Sequence, residues 1–164
     1  MTALKLIAAT QPTVLVLNGP NLNLLGTREP AVYGLHTLPD VEKMCAQACV
    51  THSFTLDFRQ SNDEGDLVDW LHEAGRAQAA GTLAGVILNA GAYTHTSVAL
   101  HDAIKGTGVM LIELHISNVF AREAFRHHSY ISPAAKAVMC GFGVNGYPLA
   151  IAALASLQVG APAV

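Results

Sequence analysis

The eight histidines and four tyrosines of this chain are its main supply of acid, base and ligand groups, and their spacing narrows the chemistry they could do. His95, His101, His115, His127 and His128 are the possible metal ligands. No HExxH and no Cys-His pairing occurs. His95 and His101 are six apart around a helix start, so they would not point the same way as ligands at i and i+4 do. No metal centre is expected. Tyr93-Thr94-His95-Thr96-Ser97 offers a serine beside a histidine base, but no GxSxG elbow surrounds Ser97, and helix capping suits these hydroxyls better. Gly141-Phe142-Gly143-Val144-Asn145-Gly146 matches GxGxxG. A ribose-binding acid should follow about 20 residues on, at the end of a next strand. The sequence ends at Val164 before one can occur, so close strand-helix packing by glycine is the expected role.

What remains lies in three stretches that each follow a strand. The first runs from Leu17-Asn18-Gly19-Pro20-Asn21 through Arg28 to Tyr33-Gly34, long enough to mark it as functional. The second is Leu88-Asn89-Ala90-Gly91-Ala92-Tyr93-Thr94-His95, and the third Glu113-Leu114-His115-Ile116-Ser117-Asn118.

The elements that must position them alternate strand and helix. Thr13 to Leu17 reads as a buried strand stopped by Asn18-Gly19-Pro20. Thr37 with Asp40 makes a capping-box start with Pro39 in the first turn, and Val41, Met44, Cys45 and Ala48 repeat at helical spacing to near His52. Phe54, Leu56 and Phe58 alternate as in a half-buried strand, and Asn62 or Asp63 can cap the helix carrying Leu67, Val68, Leu71 and Ala74. Gly85 to Leu88 is a third strand and Ser97 to Lys105 a third helix, with Gly106 and Gly108 as stops. Val109 to Ile116 is a fourth strand. Asn118 to Ser132 is polar and irregular, with one helical turn at most. Ala137 to Cys140 is a fifth strand, and Tyr147 to Leu157 a helix with Pro148 at its start.

We count five βα units, which predicts an α/β fold: a flavodoxin-like, doubly wound, five-stranded parallel sheet with helices on both faces. Ligands of such sheets bind beyond the carboxyl ends of the strands, where the three stretches converge.

Bulk properties agree with one domain. The 164 residues suit a single core that buries roughly two-thirds of the unfolded surface. Residues 1–12 read as an N-terminal extension and 13–164 as the flavodoxin-like domain. Half of the residues are apolar and 13% charged, an excess that subunit contacts could absorb. The net charge of −3, with no run among nine Lys and Arg, argues against nucleic acid or anionic membrane as partner. Cys45 and Cys49 are poorly placed for a bridge in one helix, no signal-peptide core precedes Gln11-Pro12, and no stretch reaches the ~18 apolar residues of a bilayer span. A cytoplasmic location is expected.

The three stretches, with Gln60-Ser61-Asn62-Asp63-Glu64-Gly65 and Arg126-His127-His128-Ser129-Tyr130, resemble type II 3-dehydroquinate dehydratase over residues 13 to 157. Five matches in the family's order, each at a strand end, make the resemblance specific. It implies a homododecamer built from trimers and reversible dehydration of 3-dehydroquinate to 3-dehydroshikimate through an enolate, without metal or cofactor. Matched position by position, Tyr33 is the base at the carbon next to the ketone, and Arg28 the neighbour that favours its phenolate. Asn21 holds a water near the developing oxyanion, His115 protonates the departing hydroxyl, and Glu113 orients that imidazole from two residues earlier on the strand. Asn89 and the backbone amides of Ile116 and Ser117 are matched to the substrate carboxylate, and His95 and Arg126 to ring hydroxyls. Asp102 is matched to a residue that reaches a neighbouring subunit's site, and Arg122 to one associated with site closure. Ala92, where a glycine is common, is a small departure.

The rival from another class is a non-catalytic flavodoxin-like binding protein with a degenerate site. Tyr33, Arg28 and His115 occurring together argue against it.

Overall fold

Two strands buried on both sides form the centre of the sheet: β1 (Thr13–Asn18) and β3 (Leu83–Asn89), each nearly without exposed residues. The computed structural model describes residues 11–27 and 35–159. Its other strands are β2 (Thr55–Gln60), β4 (Leu111–His115) and β5 (Ala137–Cys140). All neighbours pair in parallel, in the order β2-β1-β3-β4-β5. This is the doubly wound flavodoxin-like order, with its switch point between β1 and β3.

Four helices cover the sheet: α1 (Leu38–Thr51), α2 (Glu64–Ala79), α3 (Val98–Thr107) and α4 (Gly146–Val159). Alternation along β1 sorts the core into two layers. Val14 and Val16 pack with Val41, Cys45 and Cys49 of α1 and Ile151 and Leu154 of α4. Leu15 and Leu17 pack with Leu67 and Leu71 of α2 and Leu100 and Ile104 of α3. Cys45 and Cys49 are free buried thiols. Burial pushes the Cys45 thiol up to about 12, as expected of inert core cysteines.

Helix starts follow the sequence signals. The Thr37 hydroxyl accepts from the Asp40 N–H while the Asp40 carboxylate accepts from the Thr37 N–H, a complete capping box. Asp63 caps α2 and Ser97 caps α3, so the capping role expected for Ser97 holds. Gly108 ends α3 at φ +63. In the GxGxxG run, a Cβ on Gly146 would meet Leu114 Cδ1 at 2.9 Å, as close strand-helix packing requires. Among the described residues no helix is long and apolar enough to cross a membrane.

The count of five βα units is corrected: no α-helix follows β4. Two short 3-10 turns, Val119–Ala121 and Ala124–Arg126, stand in its place where one turn at most was expected. Arg122, Glu123, Arg126, His127, His128 and Ser129 interrupt the apolar residues of this stretch and leave no sustained apolar period for a helix. The consequence reaches the site. Glu113, paired with Leu88, faces the α2 and α3 side of the sheet. There the irregular segment, anchored by fully buried Ile131, covers β4 instead of a helix.

Candidate active site

A cleft opens at the carboxyl edge of β1, β3 and β4, the switch-point position. It is lined by Asn21, Leu22 and Leu25 after β1, by Asn89, Gly91, Ala92 and His95 after β3, and by His115, Ile116, Ser117, Arg122 and Arg126 after β4. The three sequence stretches therefore do converge. Of the site residues inferred from sequence, Asn21, Asn89, His95, His115, Ile116, Ser117, Arg122 and Arg126 meet here, with Glu113 directly behind His115. Asp102 is exposed on α3 and is not part of the cleft lining. Arg28 and Tyr33 lie outside the described residues.

His115 and Glu113 end β4 and are buried there, Glu113 completely. Two residues apart on a strand, they share a face. The His115 Nε2–H donates to Glu113 Oε1 at 2.8 Å, which commits that nitrogen and leaves Nδ1 as the other ring nitrogen. Burial alone would raise the Glu113 carboxyl. Donors outweigh it: His115, Ser132, Thr94 and Ser129 all point at the carboxylate and hold it down at about 2. Thr94 donates to Oε1 at 2.5 Å, Ser129 to Oε1 at 2.7 Å, and Ser132 to Oε2. The pair is thus an anion fixed against an imidazole.

His95 stacks near-parallel to His115, with ring centroids 6.4 Å apart. Its Nδ1–H donates to the His128 carbonyl at 2.8 Å, so Nε2 carries the lone pair in the neutral ring. Partial burial, with the nearby His115 and Arg126 charges, lowers its pKa, although the His128 contact opposes this. His95 is built to accept a hydrogen bond. His101, by contrast, donates away from the cleft to the Tyr130 carbonyl, so these two histidines do not converge. Among the described residues no group of three or more His, Cys, Asp or Glu could hold a metal ion.

Asn89 is held from behind. Its Nδ2 donates to the hydroxyl of Tyr147 at 2.9 Å, and that hydroxyl donates to Asn18 Oδ1 at 2.7 Å. Tyr147 is fully buried, and burial holds its phenol above the ordinary range, in the neutral donor form. The Asn89 amide retains a second Nδ2–H for the cleft. Asn21 adopts φ +66, and its N–H donates to Asn62 Oδ1 at 2.9 Å. Asn62 also accepts on its carbonyl from the Tyr93 hydroxyl at 2.7 Å, tying the first, second and third loops together. Arg122 and Arg126 approach the Glu123 carboxylate at 3.5 and 2.9 Å, giving the cleft its basic rim.

Sequence reasoning missed the supports: Thr94, Ser129, Ser132, Asn18, Asn62 and Tyr147. Capping was expected for the hydroxyls around Ser97, but Thr94 instead serves Glu113. The signal was a carboxylate in an otherwise apolar strand, which must find donors in a neighbouring loop.

The family model described as Dehydroquinase class II matches residues 12–155. A curated relative from Acidovorax sp. (strain JS42), called 3-dehydroquinate dehydratase, is 73% identical over 143 residues, covering 87% of this chain and 97% of its own. The crystal structure of a type II dehydroquinase from Butyrivibrio crossotus superposes with a TM-score of 0.83 at 39% identity, over 88% of this chain and 97% of that one. A second, from Propionibacterium acnes, gives 0.84 at 36% identity, over 90% and 98%.

Proposed function

Because the chain belongs to the class II dehydroquinase family, we propose that it is a lyase that dehydrates 3-dehydroquinate reversibly to 3-dehydroshikimate, in the shikimate pathway or in quinate breakdown. The observation that carries this reading is the buried Glu113–His115 pair at the floor of a cleft lined by donors and basic groups. A carboxylate and an imidazole held together at the edge of a cleft, with the carboxyl shifted by its donors, are the arrangement of an acid–base site rather than of a degenerate one.

The reaction divides into two proton transfers. Tyr33, helped into its phenolate by Arg28, takes the proton from the carbon next to the ketone. The enolate oxygen receives a hydrogen bond from a water held by Asn21. The departing hydroxyl then takes a proton from His115 through Nδ1, since Nε2 is committed to Glu113. The Glu113 anion stabilises the imidazolium that precedes this transfer. Water leaves and the conjugated enone forms.

Binding uses the rest of the cleft. Asn89, with the Ile116 and Ser117 amides, receives the substrate carboxylate. The His95 Nε2 lone pair accepts from a ring hydroxyl and Arg126 donates to another, while Arg122 closes over the substrate. Asp102, exposed on α3, serves the site of a neighbouring subunit in a dodecamer of trimers. The expected setting is the cytoplasm.

Adding 3-dehydroquinate to the purified protein and following ultraviolet absorbance tests the reading. Growth of the enone band is expected, and its absence at any protein concentration would defeat the assignment.

A further inference from the structure

We propose that Thr94, Ser129 and Ser132 are positioning residues of the reaction, acting as a hydroxyl clamp that fixes the Glu113 carboxylate and, through it, the imidazole of His115. The proposal rests on the reading of His115 as the acid for the departing hydroxyl.

The clamp grips both carboxylate oxygens. Oε1 takes hydrogen bonds from Thr94 and Ser129 beside that from His115, and Oε2 takes one from Ser132. Ser129 is obliged to donate. Its oxygen already accepts the N–H groups of Ile131 and Ser132 at 3.0 Å each, so its proton is the part left for Glu113. Without these donors a completely buried carboxylate would lose the solvation that water gives it, and it could rotate away from the ring.

The two arms come from opposite sides. Thr94 is fully buried in the turn after β3, and Ser129 and Ser132 belong to the helix-free segment between β4 and β5. The two are joined further by the Tyr130 N–H on the Thr94 carbonyl at 2.8 Å and by the His128 carbonyl on His95. The segment that carries Arg122 and Arg126 is thus fastened to the carboxylate behind the acid. The backbone bond from Tyr130 to Thr94 does not involve the hydroxyls, so the segment keeps its place when one of them is removed while the carboxylate loses its hold.

A positioning role predicts a particular kinetic pattern. Ser132→Ala and Thr94→Val should each lower kcat for dehydration by roughly tenfold or more, the effect of one hydrogen bond to a charged group, with KM little changed. Exchange of the proton next to the ketone with deuterated solvent does not need His115. The ratio of exchange to dehydration should therefore rise by about the factor that kcat falls, which general damage to the fold would not cause. Thr94→Ser keeps the hydroxyl and should recover most of the loss. Thermal melts identify any variant that fails to fold, and the two substitutions grip opposite oxygens, so either one decides the matter. Unchanged kcat, exchange and dehydration falling together, or Thr94→Ser behaving like Thr94→Val would each overturn the proposal. A wild-type protein without dehydratase activity would instead defeat the functional reading beneath it, a result seen before any substitution is made.

Discussion

At the scale of single residues, the proposed mechanism gives each proton to one side chain. Tyr33→Phe removes the base outright and should be nearly inactive at every pH, with substrate affinity changed less than turnover. Arg28→Ala leaves the phenol but makes it harder to ionise, so residual activity should recover in part as pH rises. A pH profile of each variant separates the roles. Near-normal turnover in Tyr33→Phe would move the base elsewhere, to His95 first, and an Arg28→Ala profile uniformly low across pH would make Arg28 a contact to substrate instead. Glu113 carries a stability signature of its own. Its carboxyl is held at about 2, below the ordinary 4.5, so its contribution is fully present above 4.5 and is lost as pH falls from there toward 2. That contribution is on the order of 3 kcal/mol at neutral pH. Melting temperature against pH should fall through this window in the wild type and less steeply in Glu113→Gln. Parallel curves would mean that Glu113 does not carry the acid sensitivity.

At the scale of elements, most of the fold was legible because each signal was local. Thr37 with Asp40, Ser97, and the alternation of Leu56 and Phe58 all acted where they stood. The absent helix after β4 was half legible: the polar run was read as irregular, yet five units were counted. The supports of the site were not legible, since Thr94 reaches Glu113 and Tyr147 reaches Asn18 only through tertiary packing across 19 and 129 positions. The strand-end residues themselves could be read because Glu113-Leu114-His115-Ile116-Ser117-Asn118 forms one of the matches that carry the family resemblance. Gly19 shows how closely the loops after β1 and β3 meet. A Cβ there would lie 2.5 Å from the Ala90 carbonyl oxygen, while the Gly19 N–H donates to the Asn89 carbonyl at 2.8 Å. Backbone cannot swing aside as a side chain does. Gly19→Ala should therefore destabilise the protein by about 1–3 kcal/mol and lower turnover by displacing Asn21 and Asn89. Denaturant unfolding beside kinetics checks this, and a variant as stable and active as wild type would contradict the close approach.

At the scale of the whole molecule, the proposed part of Asp102 in a neighbouring subunit's site makes activity depend on assembly, and Asp102 stands on an exposed face of α3, outside the cleft of its own chain. Sedimentation paired with activity should find full turnover only in the oligomer, and a fully active isolated monomer would refute that. The central claim is that side chains alone divide the dehydration, with Tyr33 opening it and His115 completing it. It is tested most directly by His115→Ala in deuterated solvent with a chelator present, following exchange at the carbon next to the ketone and enone formation in one sample. The wild type should make enone unaffected by chelator, and His115→Ala should continue to exchange while enone formation falls by a much larger factor. Exchange and dehydration lost in equal measure, or wild-type activity lost to the chelator, would contradict it.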